Sequence, residues 1–236
     1  IDACLVGSEM CIRDRNFEDV VRTRSSIRGF LPDPVPQELL EKVFELARWS
    51  PSGTNIQPWQ TFVASGETRD HLRQSFMERA RNKEPAAPDH ASSKKGKMGD
   101  PWKQRQRDCA AVLYEAMDVA WEDREARGRV AFRNFEMFDA PHVAFLCMNE
   151  HFGIGNAWDV GMYAQTLMLA MTANGLGSCA QGTMRHYPDL VRDAFNLGPE
   201  IKVLFGISFG FPDPSMSVNK ARPERAPRSE SGFFRR

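Results

Sequence analysis

Residues 157–174 read AWDVGMYAQTLMLAMTAN, and they run straight into Gly175-Leu176-Gly177-Ser178-Cys179-Ala180-Gln181-Gly182. The first part is apolar nearly all round, with Val160, Met162, Tyr163, Leu167, Met168, Leu169 and Met171 spread over every face. A helix of that kind is buried on all sides. In a chain of 236 residues it is either a central core helix or one that packs between subunits. Gly175 supplies its stop. The glycine-rich stretch that follows either exposes backbone N–H groups to a ligand or is a plain helix cap and loop.

Outward from this helix the pattern alternates. Helical periodicity covers residues 17–23, 37–50 (Leu39, Leu40, Val43, Leu46 and Ala47 on one face), 68–81, 101–127 and 189–195. Short apolar runs at 59–64, 142–148 and 203–209 read as strands. Few strands among many helices give an α+β domain with a small sheet flanked by helices. No Gly-x-Gly-x-x-Gly follows a strand, so a Rossmann nucleotide site is not expected. Residues 82–100 are rich in Lys, Pro, Ser and Gly and read as a long mobile loop. From Phe211 the chain is proline-rich and basic, which suggests an arm lying over a surface. Residues 16–236 are therefore one domain, with a lid over 82–135 and a C-terminal arm from 211. Residues 1–15, with Cys4 and Cys11 and an Arg13-Asp14-Arg15 end, lack the basic start of a signal peptide and read as a non-native or disordered leader.

Lys and Arg number 31, as do Asp and Glu, so charge gives no reason to expect nucleic acid or an anionic membrane as partner. No apolar run approaches the roughly 20 residues that span a bilayer. Five cysteines at irregular spacing make no disulfide framework, which points to a reducing, cytoplasmic setting.

Two basic clusters stand far apart: Arg24-Ser25-Ser26-Ile27-Arg28 and Lys220-Ala221-Arg222. Arginine forks and serine hydroxyls hold a phosphate monoester without a glycine loop. Alternation places Lys220 and Arg222 on one side of an extended segment. Each cluster alone also reads as solvated surface charge. Pro51-Ser52-Gly53-Thr54-Asn55-Ile56-Gln57-Pro58-Trp59 is stiff at its prolines, permissive at Gly53 and rich in donors, or simply a helix-to-strand turn.

Taken in order, these elements resemble the nitroreductase family over nearly the whole chain after residue 16. The matching motifs are Arg24-x-Ser26-x-Arg28, Pro51-Ser52-x-x-Asn55-x-Gln57-Pro58-Trp59, Asp159-Val160-Gly161 in the apolar helix, Gly175 to Gly182, and Asn219-Lys220-Ala221-Arg222. The resemblance implies a nitroreductase-like fold, with a small, mostly antiparallel central sheet, and an interlocked homodimer binding FMN at the interface. It implies that Arg24, Ser26, Lys220 and Arg222 bind the FMN phosphate. Arg28 would reach the N1/O2 edge of the flavin ring and Ser25 would support the ribityl chain or ring edge. Pro51, Ser52, Gly53 and Asn55 would approach the flavin of the other subunit, and Gln181 and Gly182 would lie over the ring. The family's ring-edge asparagine finds no match around residues 75–105.

The implied activity is ping-pong reduction of nitroaromatic or quinone-type acceptors by NADH or NADPH through flavin N5, with no protein nucleophile or general acid. A specialised enzyme of the same superfamily (reductive dehalogenase, ene-reductase-like or flavin-degrading) and a non-catalytic flavin-binding protein are the alternatives. Trp102, Tyr114, Phe132 and Phe135 either cap the pocket or pack the core or a dimer contact. Cys179 reads as a buried filler. His142 and Cys147 fall on opposite faces of a strand, against a metal site with His151. Asp139 and Asp159 read as cap or turn residues, and Arg124, Arg127, Arg129 and Arg133 as a solvated or interface face.

Overall fold

The computed structural model describes residues 16–90 and 98–235. Four strands, β1 (Gln60–Ser65), β2 (His142–Asn149), β3 (Gly177–Gln181) and β4 (Ile201–Gly210), form one antiparallel sheet in the order β1-β2-β4-β3. The period of two sorts β2 cleanly. Ala144, Leu146 and Met148 enter one core with Val160, Tyr163, Leu167 and Met171. Val143, Phe145 and Cys147 enter the other with Leu72, Phe76, Tyr187 and Val191. The sheet thus carries a helical layer on each face, as an α+β domain requires. Around it lie α1 (Phe17–Thr23), α2 (Gln37–Ala47), α3 (Gly66–Arg81), α4 (Trp102–Ala116), α5 (Arg124–Phe132), α6 (Ile154–Ala173) and α7 (Pro188–Phe195). Among the described residues no helix is long and apolar enough to cross a membrane.

Helix α6 is the expected apolar helix, and Gly175, at φ 79°, ends it in the left-handed conformation that glycine adopts without penalty. It is not buried on every side, however. Ile154, Trp158 and Met162 are 85%, 69% and 39% exposed and recur every fourth residue, so one apolar stripe faces outward in the single chain.

Three further expectations are corrected. The helix expected over 101–127 is two helices, because Asp118 turns into the left-handed region and the Asp123 carboxylate caps a fresh start at Ala126 N (2.8 Å). The stretch after Gly175 is not a loop: residues 177–181 are edge strand β3, paired with β4. The first half of the 82–100 segment is held down. Asp89 pairs with Arg192 (2.8 Å) and accepts from Val203 N (2.8 Å), and Tyr187 Oη donates to Glu84 O (3.1 Å). The expectations for residues 1–15 and 91–97 lie outside the described residues.

Between α5 and β2 the chain makes an unusual turn. Met137, Phe138 and Asp139 stand at φ 55°, 54° and 59°, three consecutive left-handed residues without a glycine. Such a conformation costs about 1–2 kcal/mol per residue. Met137 and Phe138 are buried, and Asp139 is gripped by Arg73 (2.6 Å) and Arg133 (2.5 Å).

His142 joins the sheet to the segment before α2. Its Nε2 accepts from Val35 N (2.9 Å), so the proton sits on Nδ1 and points to Ser65 Oγ (2.5 Å). Burial, then the charge of Arg69, holds His142 below the usual histidine range, and burial with Arg185 does the same for His186. The unfolded chain therefore binds protons on these residues before the folded one does. Stability is full above the unfolded histidine value and falls as pH drops through it. Melting temperature should decline from about pH 7.5 to about pH 5, and His142→Gln should flatten part of that decline. A profile unchanged by the substitution would show that His142 takes no part in the decline.

Candidate functional site

The site is built on the segment that follows α1. Arg24 leaves the helix with extended backbone, and Ser26 forms a parallel bridge to Ser178 on β3, with Ile27 N donating to Ser178 O (3.0 Å). Ile27 turns inward among Phe30, Phe138, Ala140 and Cys179. That leaves Arg24, Ser26 and Arg28 lining a cleft of about 920 Å³, whose other walls include Arg105, Cys109, Arg222 and Arg225.

The two distant basic clusters meet because the start of the C-terminal arm is sewn to residues 28–31. Asn219 does most of this. Its Oδ1 accepts from Arg28 N (2.9 Å) and Gly29 N (3.1 Å), and its Nδ2 donates to Gly29 O (2.7 Å) and Asp213 O (2.9 Å). Asp213 N to Gly29 O (3.1 Å) and Leu31 N to Phe211 O (2.9 Å) continue the seam. The approach demands a glycine at 29: a Cβ there would lie 2.6 Å from Met216 Cγ.

The electrostatics of the cleft are one-sided. Six arginines and one carboxylate, Glu224, line it. Arg22 is paired with Glu18 and Arg105 with Glu230. Among the described residues Arg24, Arg28, Arg222 and Arg225 have no carboxylate partner within 4 Å. Burial, then the charges of Arg225 and Arg222, pulls Arg24 below the usual guanidinium range, with Cys179 opposing. A cluster of cations held together without counterions is stabilised by a bound dianion, and guanidinium forks with a serine hydroxyl suit a phosphate.

Not every expected residue joins it. Lys220 closes a 3-10 turn (Ser217–Lys220) rather than standing on an extended segment. It lines an adjoining cleft of about 400 Å³ with Ile27, Gly177 and Asn219, while Ser25 and Arg222 line both. Pro51, Ser52, Gly53 and Asn55 stand elsewhere in the chain and line neither cleft. Their loop is shaped by left-handed Thr54, Asn55 and Gln57, by Gln57 N donating to Ser52 Oγ (3.0 Å), and by Gly53 N facing Asp159 Oδ2 (3.4 Å). Asp159 is thus no cap or turn residue. It is a buried carboxylate in mid-helix α6 that anchors this loop.

Gln181 and Gly182 also line neither cleft. The Gln181 amide is buried, donating to Asn134 O (2.9 Å) and accepting from Ser208 Oγ, so its side chain is committed inside the protein. Gly182 opens a 3-10 turn at the surface.

Cys179, 2% exposed, lies beneath the arginines. Burial raises its thiol against the pull of Arg28, Ser26 and Arg24, so it stays a protonated filler. Asp139 is the bridge between Arg73 and Arg133, and Arg127 stacks on Trp121. Phe135 packs into the second core, while Tyr114 meets Trp121 edge-on. Among the described residues no group of three His, Cys, Asp or Glu side chains gathers as a metal site would. Sequence reasoning gave no role to Arg225, Arg105 or Asn219. Only Asn219 carried a signal, as the first residue of Asn219-Lys220-Ala221-Arg222.

Sheet, helices and cleft define a class: an α+β protein whose basic cleft is assembled from segments near residues 24–28 and 222–225, far apart in the chain, with no glycine-rich nucleotide loop among the described residues. More particularly, the chain belongs to the nitroreductase family, whose model matches residues 21–211. It is 38% identical to the nitroreductase NfnB of Mycolicibacterium smegmatis, over 93% of this chain and 92% of that protein. It is 28% identical to a 4-nitrobenzoate reductase of Pseudomonas putida, over 92% and 94%. The solved structure of the FMN and NADPH-dependent nitroreductase NfnB from Sphigopyxis sp. strain HMH superimposes with a TM-score of 0.89 at 29% identity, covering 94% of this chain and 99% of that one.

Removing the Asn219 clamp should be costly. Asn219→Ala deletes four hydrogen bonds and strands two amide donors, and a loss of about 2–4 kcal/mol is expected. Thermal melting checks the loss, and a shift under a degree would show that the seam holds without Asn219.

Proposed function

We propose that the protein is an FMN-dependent oxidoreductase that uses NADH or NADPH to reduce nitroaromatic or quinone-type acceptors, and that it works as a homodimer. The observation that carries this reading is the cleft in which Arg24, Arg28, Arg222 and Arg225 gather without carboxylate partners. In a member of the nitroreductase family such a cleft suits the phosphate of FMN. The FMN and NADPH dependence of the Sphigopyxis protein and the nitroaromatic substrate of the Pseudomonas protein agree with it.

Arg24, Ser26 and Arg222 hold the phosphate, with Lys220 approaching from the adjoining cleft and Ser25 standing between the two. Arg28 places its charge beside the ring edge, where it favours an anionic reduced form. Bound FMN supplies the two-electron chemistry that links nicotinamide to acceptor. The protein's part is to fix the cofactor, set its electrostatics and leave one ring face open. Gln181 and Gly182 contribute backbone groups.

Two features support the homodimer. The Ile154–Trp158–Met162 stripe of α6 is large and apolar and stands exposed among the described residues. The loop of Pro51, Ser52, Gly53 and Asn55 is largely exposed and lines neither basic cleft of its own chain, as suits a loop that completes the flavin site of a second copy.

The purified protein should show a flavin absorbance spectrum and release FMN on heating. It should oxidise NADH or NADPH when a nitroaromatic acceptor is present. Arg24→Ala or Arg222→Ala removes one charge-assisted contact, so the FMN dissociation constant should rise about 10–100-fold with little change in melting temperature. A colourless protein that takes up no added FMN would overturn the reading. Equal loss of fold and cofactor in both variants would overturn the phosphate assignment.

A further inference from the structure

Residues 134–139, which close in the left-handed turn at Met137–Asp139, touch residues of the family motifs toward both ends of the segment. At one end Gln181 Nε2 donates to Asn134 O (2.9 Å). At the other the Arg28 guanidinium lies over the Phe138 ring, 5.9 Å from its centroid. Phe138 is buried in the same small core as Ile27 and Cys179, directly beneath the basic segment. Two residues far apart in sequence, each tied to the cofactor by the family motifs, thus rest on this one segment, and Arg28 rests on its strained turn.

What holds the turn is a fork. Asp139 receives Arg73 from α3 on one oxygen and Arg133 from the end of α5 on the other. Arg73 Nε also donates to Glu136 O (3.1 Å), and Arg133 pairs with Glu136 (3.2 Å). Phe138 N and Asp139 N donate back to Arg133 O and Glu136 O (both 3.1 Å). A single pair at this exposure would contribute little. Here two guanidiniums converge on one carboxylate, and one of them also ties down the turn's own backbone. Strained backbone of this sort persists only where its surroundings over-determine it, and it collects at functional sites.

We propose that Asp139, clasped by Arg73 and Arg133, is a positioning residue for the flavin site: it locks the left-handed turn so that Phe138 sets the Arg28 guanidinium at the edge of the cofactor cleft. The proposal rests on the FMN reading above. It concerns neither contact with substrate nor the phosphate cradle. Its signature is that Asp139 acts through Arg28 and against backbone strain.

The test is FMN titration of apoprotein, followed by flavin fluorescence, with the absorbance spectrum of the bound flavin and the melting temperature recorded for each variant. Asp139→Ala removes the fork but keeps a Cβ in the left-handed region. Asp139→Gly removes the same carboxylate and relieves the strain. Asp139→Ala should raise the FMN dissociation constant about tenfold and shift the flavin spectrum in the same direction as Arg28→Ala. Asp139→Gly should lose clearly less. The double variant Arg28→Ala/Asp139→Ala should bind no worse than Arg28→Ala alone. Wild-type affinity and spectrum in Asp139→Ala, equal losses in the alanine and glycine variants, or additive losses in the double variant would each overturn the proposal. If Asp139→Ala does not fold, Asp139→Gly replaces it in the cycle with Arg28, where additive losses would again overturn the idea. Failure of the wild-type protein itself to bind FMN would strike the functional reading instead, and the wild-type titration separates the two.

Discussion

Four hydrogen bonds from one side chain, Asn219, join the two ends of the chain into a single cleft. Two bind the backbone N–H groups of residues 28 and 29, and two grip carbonyls on either side of the seam. Their task is electrostatic as well as geometric. Arg24 and Arg28 arrive on one strand of the seam, Arg222 and Arg225 on the other, and like charges repel unless something else holds the segments together. At about 1 kcal/mol net for each hydrogen bond, the clamp and the bridges around it are of the right order to hold partly solvated guanidiniums together. The cleft is consequently preorganised for an anion, and ordering the arm is no longer part of the binding free energy.

The sheet gives this seam its foundation. Edge strand β3 offers Ser178 to the segment at Ser26, and β4 delivers the chain at Gly210 straight into the arm. Close packing at the junction needs Gly177, where a Cβ would meet Ile27 and Pro212 within 2.9 Å. Six of the nine left-handed non-glycine residues among those described gather in two places, the loop at 54–57 and the turn at 137–139. Both are anchored by a carboxylate, Asp159 in the first and Asp139 in the second. Strain at loops that face a ligand, backed by rigid supports, is a common arrangement at functional sites.

Local pattern was enough to read much of this. Strand β2 and the apolar helix α6 follow from periodicity and length, and the α+β class follows from their number. The basic segment at 24–28 could be singled out because Arg and Ser alternate there. Features set by distant partners were not legible. Strand β3 contains Gly177, Ser178 and Ala180, which favour a loop locally, and it becomes a strand only through its ladder with β4. The break between α4 and α5 was hidden because both halves keep a helical pattern, and a capping aspartate at 123 looks like any other surface charge. The bond between Gly53 and Asp159 spans 106 positions. Arg225 lies in a proline-flanked tail with nothing local to announce that it faces Arg24. The outward stripe of α6 was hidden as well, since an all-round apolar helix reads the same whether its last face meets its own core or a second copy.

A seam that cradles a phosphate must tell FMN from riboflavin, because the two ligands differ only in that group. Titration of the apoprotein with each, at low and at high salt, isolates the contribution of that group. FMN should bind at least about 100-fold more tightly than riboflavin at low salt, the worth of two charge-assisted contacts, and salt should narrow the gap. Equal affinity for the two ligands, unaffected by salt, would mean that the gathered arginines do not hold the phosphate.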